Sequence, residues 1–162
     1  EIALAAIKQH GSALGFVAQE LREDRDFLLL AVRQNSEALL HTLPSFRGDR
    51  DFILSAATQN GLAIRHAGPE LRADPEIVMA AVRQNGHALA HAVSELRADR
   101  QIVLAAVGQN GHALRHASAP LRAHHAVVVA AMETTPEAVM HAASSRRART
   151  CLDALPQTSG AR

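Results

Sequence analysis

A chain of 162 residues with a formal net charge of +1 is long enough for one domain with a real core, and so even a charge gives no strong pull toward nucleic acid or an anionic membrane. Its single cysteine, Cys151, excludes an internal disulfide and leaves the compartment open. The longest apolar runs, such as "FLLLAV" and "AVVVAAM", fall far below the roughly 20 residues a membrane span needs.

Read from its first residue, the chain repeats itself every 25 residues without a gap. Six units fit, at 1–25, 26–50, 51–75, 76–100, 101–125 and 126–150, and a tail follows at 151–162. The sixth position of every unit is alanine (Ala6, Ala31, Ala56, Ala81, Ala106, Ala131), and so is the thirteenth, from Ala13 to Ala138. The twenty-second is always arginine: Arg22, Arg47, Arg72, Arg97, Arg122 and Arg147. The sixteenth is His41, His66, His91, His116 or His141, with Phe16 in the first unit, and is expected to border the core and pack between repeats. The opening "EIALAAIKQHG" starts inside a repeat and without Met, so the expectation is that a segment upstream has been removed or is missing.

Each unit reads as two short helices. Asp24, Asp49, Asp74 and Asp99 stand just before apolar runs, where a carboxylate accepts from free backbone N–H groups. Pro75 and the acidic Asp26, Asp51 and Glu76 suit a first helical turn. The runs "FLLLAV", "FILSAA", "IVMAAV" and "IVLAAV" are apolar nearly all round, which predicts a helix buried between neighbours. "QNG" ends it, with Gly61, Gly86 and Gly111 suited to a left-handed residue past a helix end. A second helix of about two turns follows, with Ala88, Leu89 and Ala92 as a typical apolar stripe. Two turns is short enough for 3-10 geometry as well, and that alternative stays open. Pro44, Pro69 and Pro120 close this helix, and a linker carries Leu71, Leu96 or Leu121 into the core. In the sixth unit Thr135 and Pro136 read as cap and first turn of the second helix.

A unit this small cannot bury its own apolar face, whereas stacked units can, so the fold expected is an all-α solenoid of six two-helix repeats. Segments such as "DPEIVMAAVRQNG" and "DRQIVLAAVGQNG", followed by "HALxHAxxxLRAD", resemble the repeats of domain of unknown function 4116. The resemblance is specific in units two to five and weakens in "METTPEAVMHAASSRRART", which points to a terminal capping repeat. It implies an association with unicellular algae, other protists and some bacteria that live inside cells. It brings no catalytic residues to carry over.

The histidine ladder invites a metal reading, but equivalent residues of stacked helices lie about 8–10 Å apart, too far to share one zinc ion. His87 with His91, and His112 with His116, stand four apart on one short helix, yet no carboxylate or cysteine completes either set. No metal or cofactor is expected. The arginine ladder at the twenty-second position has three readings: a phosphate track, an acidic-protein contact, or a brace tying each linker to helix-end carbonyls or a nearby Asp. An arginine fixed in every unit favours the brace, so nucleic acid stands as the alternative function. No nucleophile–histidine–acid set, phosphate loop or paired carboxylates recur, so no enzyme activity is expected.

What remains is a variable face at the twelfth, fifteenth and nineteenth positions. Leu40, Leu62 and Met140 are apolar there, Arg65 and Arg115 lie between them, and His87 and His112 complete the set. The expectation is a protein-docking strip on a non-enzymatic scaffold, a peripheral subunit of a larger assembly. By resemblance, an organellar setting, photosynthetic or ribosomal, is the guess. The tail is too short and polar for a seventh unit, so the last repeat or another molecule is expected to hold it.

Overall fold

The structure, a computed structural model, describes residues 2–142. The expected tail, with Cys151, and the end of the sixth unit, with Ser144 and Arg147, lie outside the described residues. Every described element is helical and the elements recur with the sequence period. Each repeat begins with a core helix: Ile2–Gln9, Arg25–Gln34, Arg50–Gln59, Pro75–Gln84, Arg100–Gln109 and His125–Thr134.

The aspartates act as read. Asp24 Oδ1 accepts from the N–H groups of Asp26 and Phe27 at 2.9 and 3.1 Å, and Asp99 Oδ1 from those of Gln101 and Ile102 at 2.8 and 3.1 Å. Such a cap is worth about 1 kcal/mol. In the last described repeat His124 stands at that position and makes no side-chain cap.

The second element is a 3-10 helix in every repeat: Gly11–Phe16, Ser36–His41, Gly61–His66, Gly86–His91, Gly111–His116 and Pro136–His141. An asparagine explains its start. Asn35, Asn60, Asn85 and Asn110 each end the core helix with a backbone N–H bonded four residues back, and their side chains accept from the N–H two residues on. One residue thus closes the α-helix and caps the tighter one.

The linker is itself structured. Short α-helices span Gln19–Glu23, Pro44–Gly48, Ser94–Arg97 and Ala119–Arg122, and a 3-10 turn spans Leu71–Ala73. Pro44 and Pro120 therefore open this closing turn, at its first positions, and do not terminate the element before it. The 3-10 helix has already ended at His41 or His116. Leu121 is buried, and Leu71 and Leu96 pack half-buried against the core.

Repeats stack through these faces. Ala31, Ala56, Ala81, Ala106 and Ala131 are fully buried, as are Leu39, Ile64, Leu89 and Leu114 of the 3-10 helices. The glycines serve the stacking and not a left-handed turn, since no glycine among the described residues has positive φ. A Cβ on Gly86 would lie 2.5 Å from the Ala106 carbonyl oxygen of the next repeat, and Gly61 and Gly111 meet Ala81 and Ala131 in the same way. The glycine N–H is used too: Gly61 donates to Gln84 Oε1 at 2.7 Å and Gly86 to Gln109 Oε1 at 2.6 Å. Thr135 Oγ1 takes the place of glutamine opposite Gly111 at 3.2 Å.

Phe16 corrects the sequence reading. It occupies the histidine position of the first repeat, expected to border the core, and is 93% exposed. It lies beside Ile2 and Ala6, and no described repeat stacks upon it.

Candidate functional site

The 3-10 geometry decides which side chains share a face. With about three residues per turn, the twelfth and fifteenth positions of a repeat lie one above the other, and the sixteenth is turned away by roughly a third of a turn. His87 and His91 therefore do not form a pair on one helix, and neither do His112 and His116. Stacking pairs them across repeats. The His87 and His116 rings meet edge to face at 6.1 Å between centroids, and those of His112 and His141 at 5.5 Å. Nδ1 of His112 and Nε2 of His141 are 3.3 Å apart. Between the second and third repeats, Arg65 Nη2 reaches Glu37 Oε1 at 3.3 Å. The twelfth position of each of these repeats thus touches the fifteenth or sixteenth of the next.

Arginine orients the histidines. Arg65 Nε donates to His66 Nε2 at 2.6 Å, and Arg115 Nε to His116 Nε2 at 2.9 Å. An accepting Nε2 puts the ring proton of the neutral imidazole on Nδ1. Burial, then the charge of Arg115, then His87, His91 and Arg97, push His116 down to about 4. Burial also lowers His66, His87, His91 and His141, with Arg65 next for His66 and His91, Arg115 next for His87, and His112 next for His141. These five rings are neutral at pH 7, while Arg65 and Arg115 bring positive charge to the ridge. Arg65 is half-buried and Arg115 exposed.

The apolar members are not brought together. Leu40 is exposed in the second repeat, Leu62 is half-buried in the third, and Met140, 81% exposed, lies in the sixth. His87, His112 and Arg115 occupy the repeats between them. The nineteenth positions, Pro44, Pro69, Ser94 and Ala119, fall in or beside the closing turn and are exposed. Among the described residues no three His, Cys, Asp or Glu side chains converge as a metal set.

The ladder of Arg22, Arg47, Arg72, Arg97 and Arg122 does not brace its linkers by hydrogen bonds. In all five the Nε is buried with no partner. The seam is tied instead by the backbone of the same residues: Ser118 N–H donates to the Arg97 carbonyl at 2.9 Å, and Val93 N–H to that of Arg72 at 3.4 Å. The aligned sequence carries a signal for this cross-repeat arrangement, a recurrent polar pair 28 or 29 residues apart. It has meaning only once the direction of stacking is known.

The model of the family described as Domain of unknown function (DUF4116) matches residues 1–47, 38–72, 49–92 and 74–122. The chain belongs to this family. The matched stretches end at residue 122, just before the repeat in which His124 replaces the capping aspartate and Pro136 replaces the seam glycine. None of the curated proteins and none of the solved structures matches the chain. No helix among the described residues is long and apolar enough to cross a membrane.

Proposed function

We propose that this DUF4116 chain is a non-enzymatic docking scaffold, a peripheral subunit of a larger assembly, that holds an acidic protein segment along the ridge of Arg65, His87, His112 and Arg115. The observation that supports this reading is the ordering of the ridge. Histidine pairs cross two seams, and Arg65 and Arg115 are each fixed by a neighbouring imidazole. A preorganised cation loses little freedom when an acidic partner arrives. The His87 imidazole between the arginines, held neutral by burial, adds hydrogen bonding without further charge. Leu40, Leu62 and Met140 flank this stretch and offer apolar contact at its two ends. Single-stranded nucleic acid is disfavoured because its binding leans on aromatic stacking, and no Phe, Tyr or Trp lies on the ridge.

Fluorescence anisotropy with an oligoglutamate peptide and with a single-stranded oligonucleotide, each over a salt series, tests the reading. The expected result is peptide binding that the double variant Arg65→Gln, Arg115→Gln removes while thermal stability holds. Tighter binding of the oligonucleotide, with a steep salt slope, would favour the nucleic-acid alternative.

A further inference from the structure

The seam between the fourth and fifth repeats differs from its siblings. A cavity of about 200 Å³ opens there, lined by Ser94, Arg97, His116, Ala117 and Ser118. Two of its donors are orphaned. Arg97 Nε and Ser118 Oγ are both buried and neither has a hydrogen-bond partner. A buried donor with no protein acceptor is costly to leave unsatisfied, and an acceptor that enters the cavity would satisfy it. The Arg97 guanidinium makes no hydrogen bond or ion pair among the described residues. Its backbone carbonyl, by contrast, is pinned by the Ser118 N–H, which fixes the two walls relative to each other.

The seam between the second and third repeats is a built-in comparison. A cavity lies there too, lined by Arg47, Gly48, Gly68, Pro69, Glu70 and Leu71. Gly68 holds the place of Ser118 and supplies no hydroxyl, and Glu70 adds a carboxylate to the lining. In the fifth repeat that acidic position is Pro120. Arg97 therefore shares its cavity with a hydroxyl and an imidazole, whereas the cavity at Arg47 carries a carboxylate in its lining. Glu95, which accepts from the Ser94 hydroxyl at 3.0 Å, is exposed and lies within electrostatic reach of Arg97.

We propose that the cavity of Arg97, Ser118 and His116 is a binding site for a phosphoryl group, a phosphate monoester dianion. A guanidinium, a hydroxyl and an imidazole N–H offer more donors than the two oxygens of a carboxylate can take, and they suit three phosphoryl oxygens. Arg97 swings on its flexible stem to meet the anion, and Ser118 Oγ gains its missing acceptor. His116 joins through its free Nδ1 proton, because Arg115 occupies Nε2. The groups that face this ring are Arg115, His87, His91 and Arg97. A bound dianion offsets the arginine charges, so it raises the pKa of His116. The site rests on its own cavity and not on the docking reading, so either fails without the other.

The test is a titration of the full chain with inorganic phosphate, followed by NMR of the Ser118 amide and the His116 ring. A phosphoserine peptide and a short oligonucleotide form separate arms. Expected are saturable shifts at Ser118 and a raised His116 pKa. Arg97→Gln weakens binding by about tenfold or more and Ser118→Ala by about three- to tenfold, while Arg47→Gln changes nothing. Tighter binding of the peptide than of free phosphate assigns a phosphorylated protein as the source, and equal binding assigns free phosphate. The proposal is overturned by silence at Ser118 and His116, by equal losses in Arg47→Gln and Arg97→Gln, or by binding of the oligonucleotide alone. Ser118→Ala keeps the test open should Arg97→Gln fail to fold.

Discussion

His87 and His116 belong to different repeats, 29 residues apart, and their rings meet edge to face at 6.1 Å. Asn110 approaches His87 Nε2 at 3.3 Å and Arg115 donates to His116 Nε2, so both rings are held as neutral imidazoles against cationic surroundings. A histidine kept below its ordinary value charges first in the unfolded chain. The stability it contributes is complete above about pH 6.5 and is lost as pH falls toward the folded value, about 4 for His116. His66, His87, His91 and His141 are shifted in the same direction and add to the trend. The melting temperature should therefore drop between pH 7 and pH 5, and His116→Gln should make the drop shallower. A flat profile in both proteins would contradict the burial of these rings.

The glycines separate by their surroundings. Gly86→Ala drives a Cβ into the Ala106 carbonyl and should destabilise by about 1–3 kcal/mol in a urea melt. Gly108 lies inside the core helix Arg100–Gln109 with nothing within 4 Å of an added Cβ. Gly108→Ala should stabilise by about 1 kcal/mol through helix propensity.

The capping pattern allows a repair. Asp99→Ala should cost about 1 kcal/mol by freeing the N–H groups of Gln101 and Ile102. His124→Asp should gain a comparable amount, because the helix His125–Thr134 begins without a side-chain cap. Thermal melts of the two variants should move in opposite directions.

Leu89 and Leu114 are fully buried in adjacent 3-10 helices. Replacing either with alanine should cost about 2–5 kcal/mol. Deleting residues 76–100 removes one whole repeat and brings chemically equivalent faces together, so the shorter chain should still fold with a cooperative melt. A half-repeat deletion should not.

Much of this fold is legible in the sequence because the chemistry that sets it is local. Asp99 caps whatever helix follows it, and Val103 and Ala106 alternate with the helical period wherever they are buried. The period of 25 then multiplies one such inference across the chain. What the sequence hides depends on the gap between repeats. The duty of Gly86 is set by the Ala106 carbonyl of the next repeat, and that of Gln109 by the Gly86 N–H of the previous one. The candidate site suffered most, because His87 pairs with His116 and not with His91. The choice of 3-10 over α geometry decides that partner. Phe16 looked like core because its position carries a ring in every unit, half-buried from His66 onward, whereas no described repeat stacks upon Phe16 itself.

Gly61, Gly86 and Gly111 admit no side chain, so the rise from one repeat to the next cannot be stretched or compressed without breaking contacts on both sides. Packed helices stand about 8–10 Å apart, and three residues of extended polypeptide cover about 9–10 Å. A linear ligand whose anchors recur at every third residue stays in step with the ridge from Arg65 to Arg115. One whose anchors recur at every second residue falls out of step within two rungs. The array thus works as a vernier, and its three smallest residues set the scale against which a partner is measured.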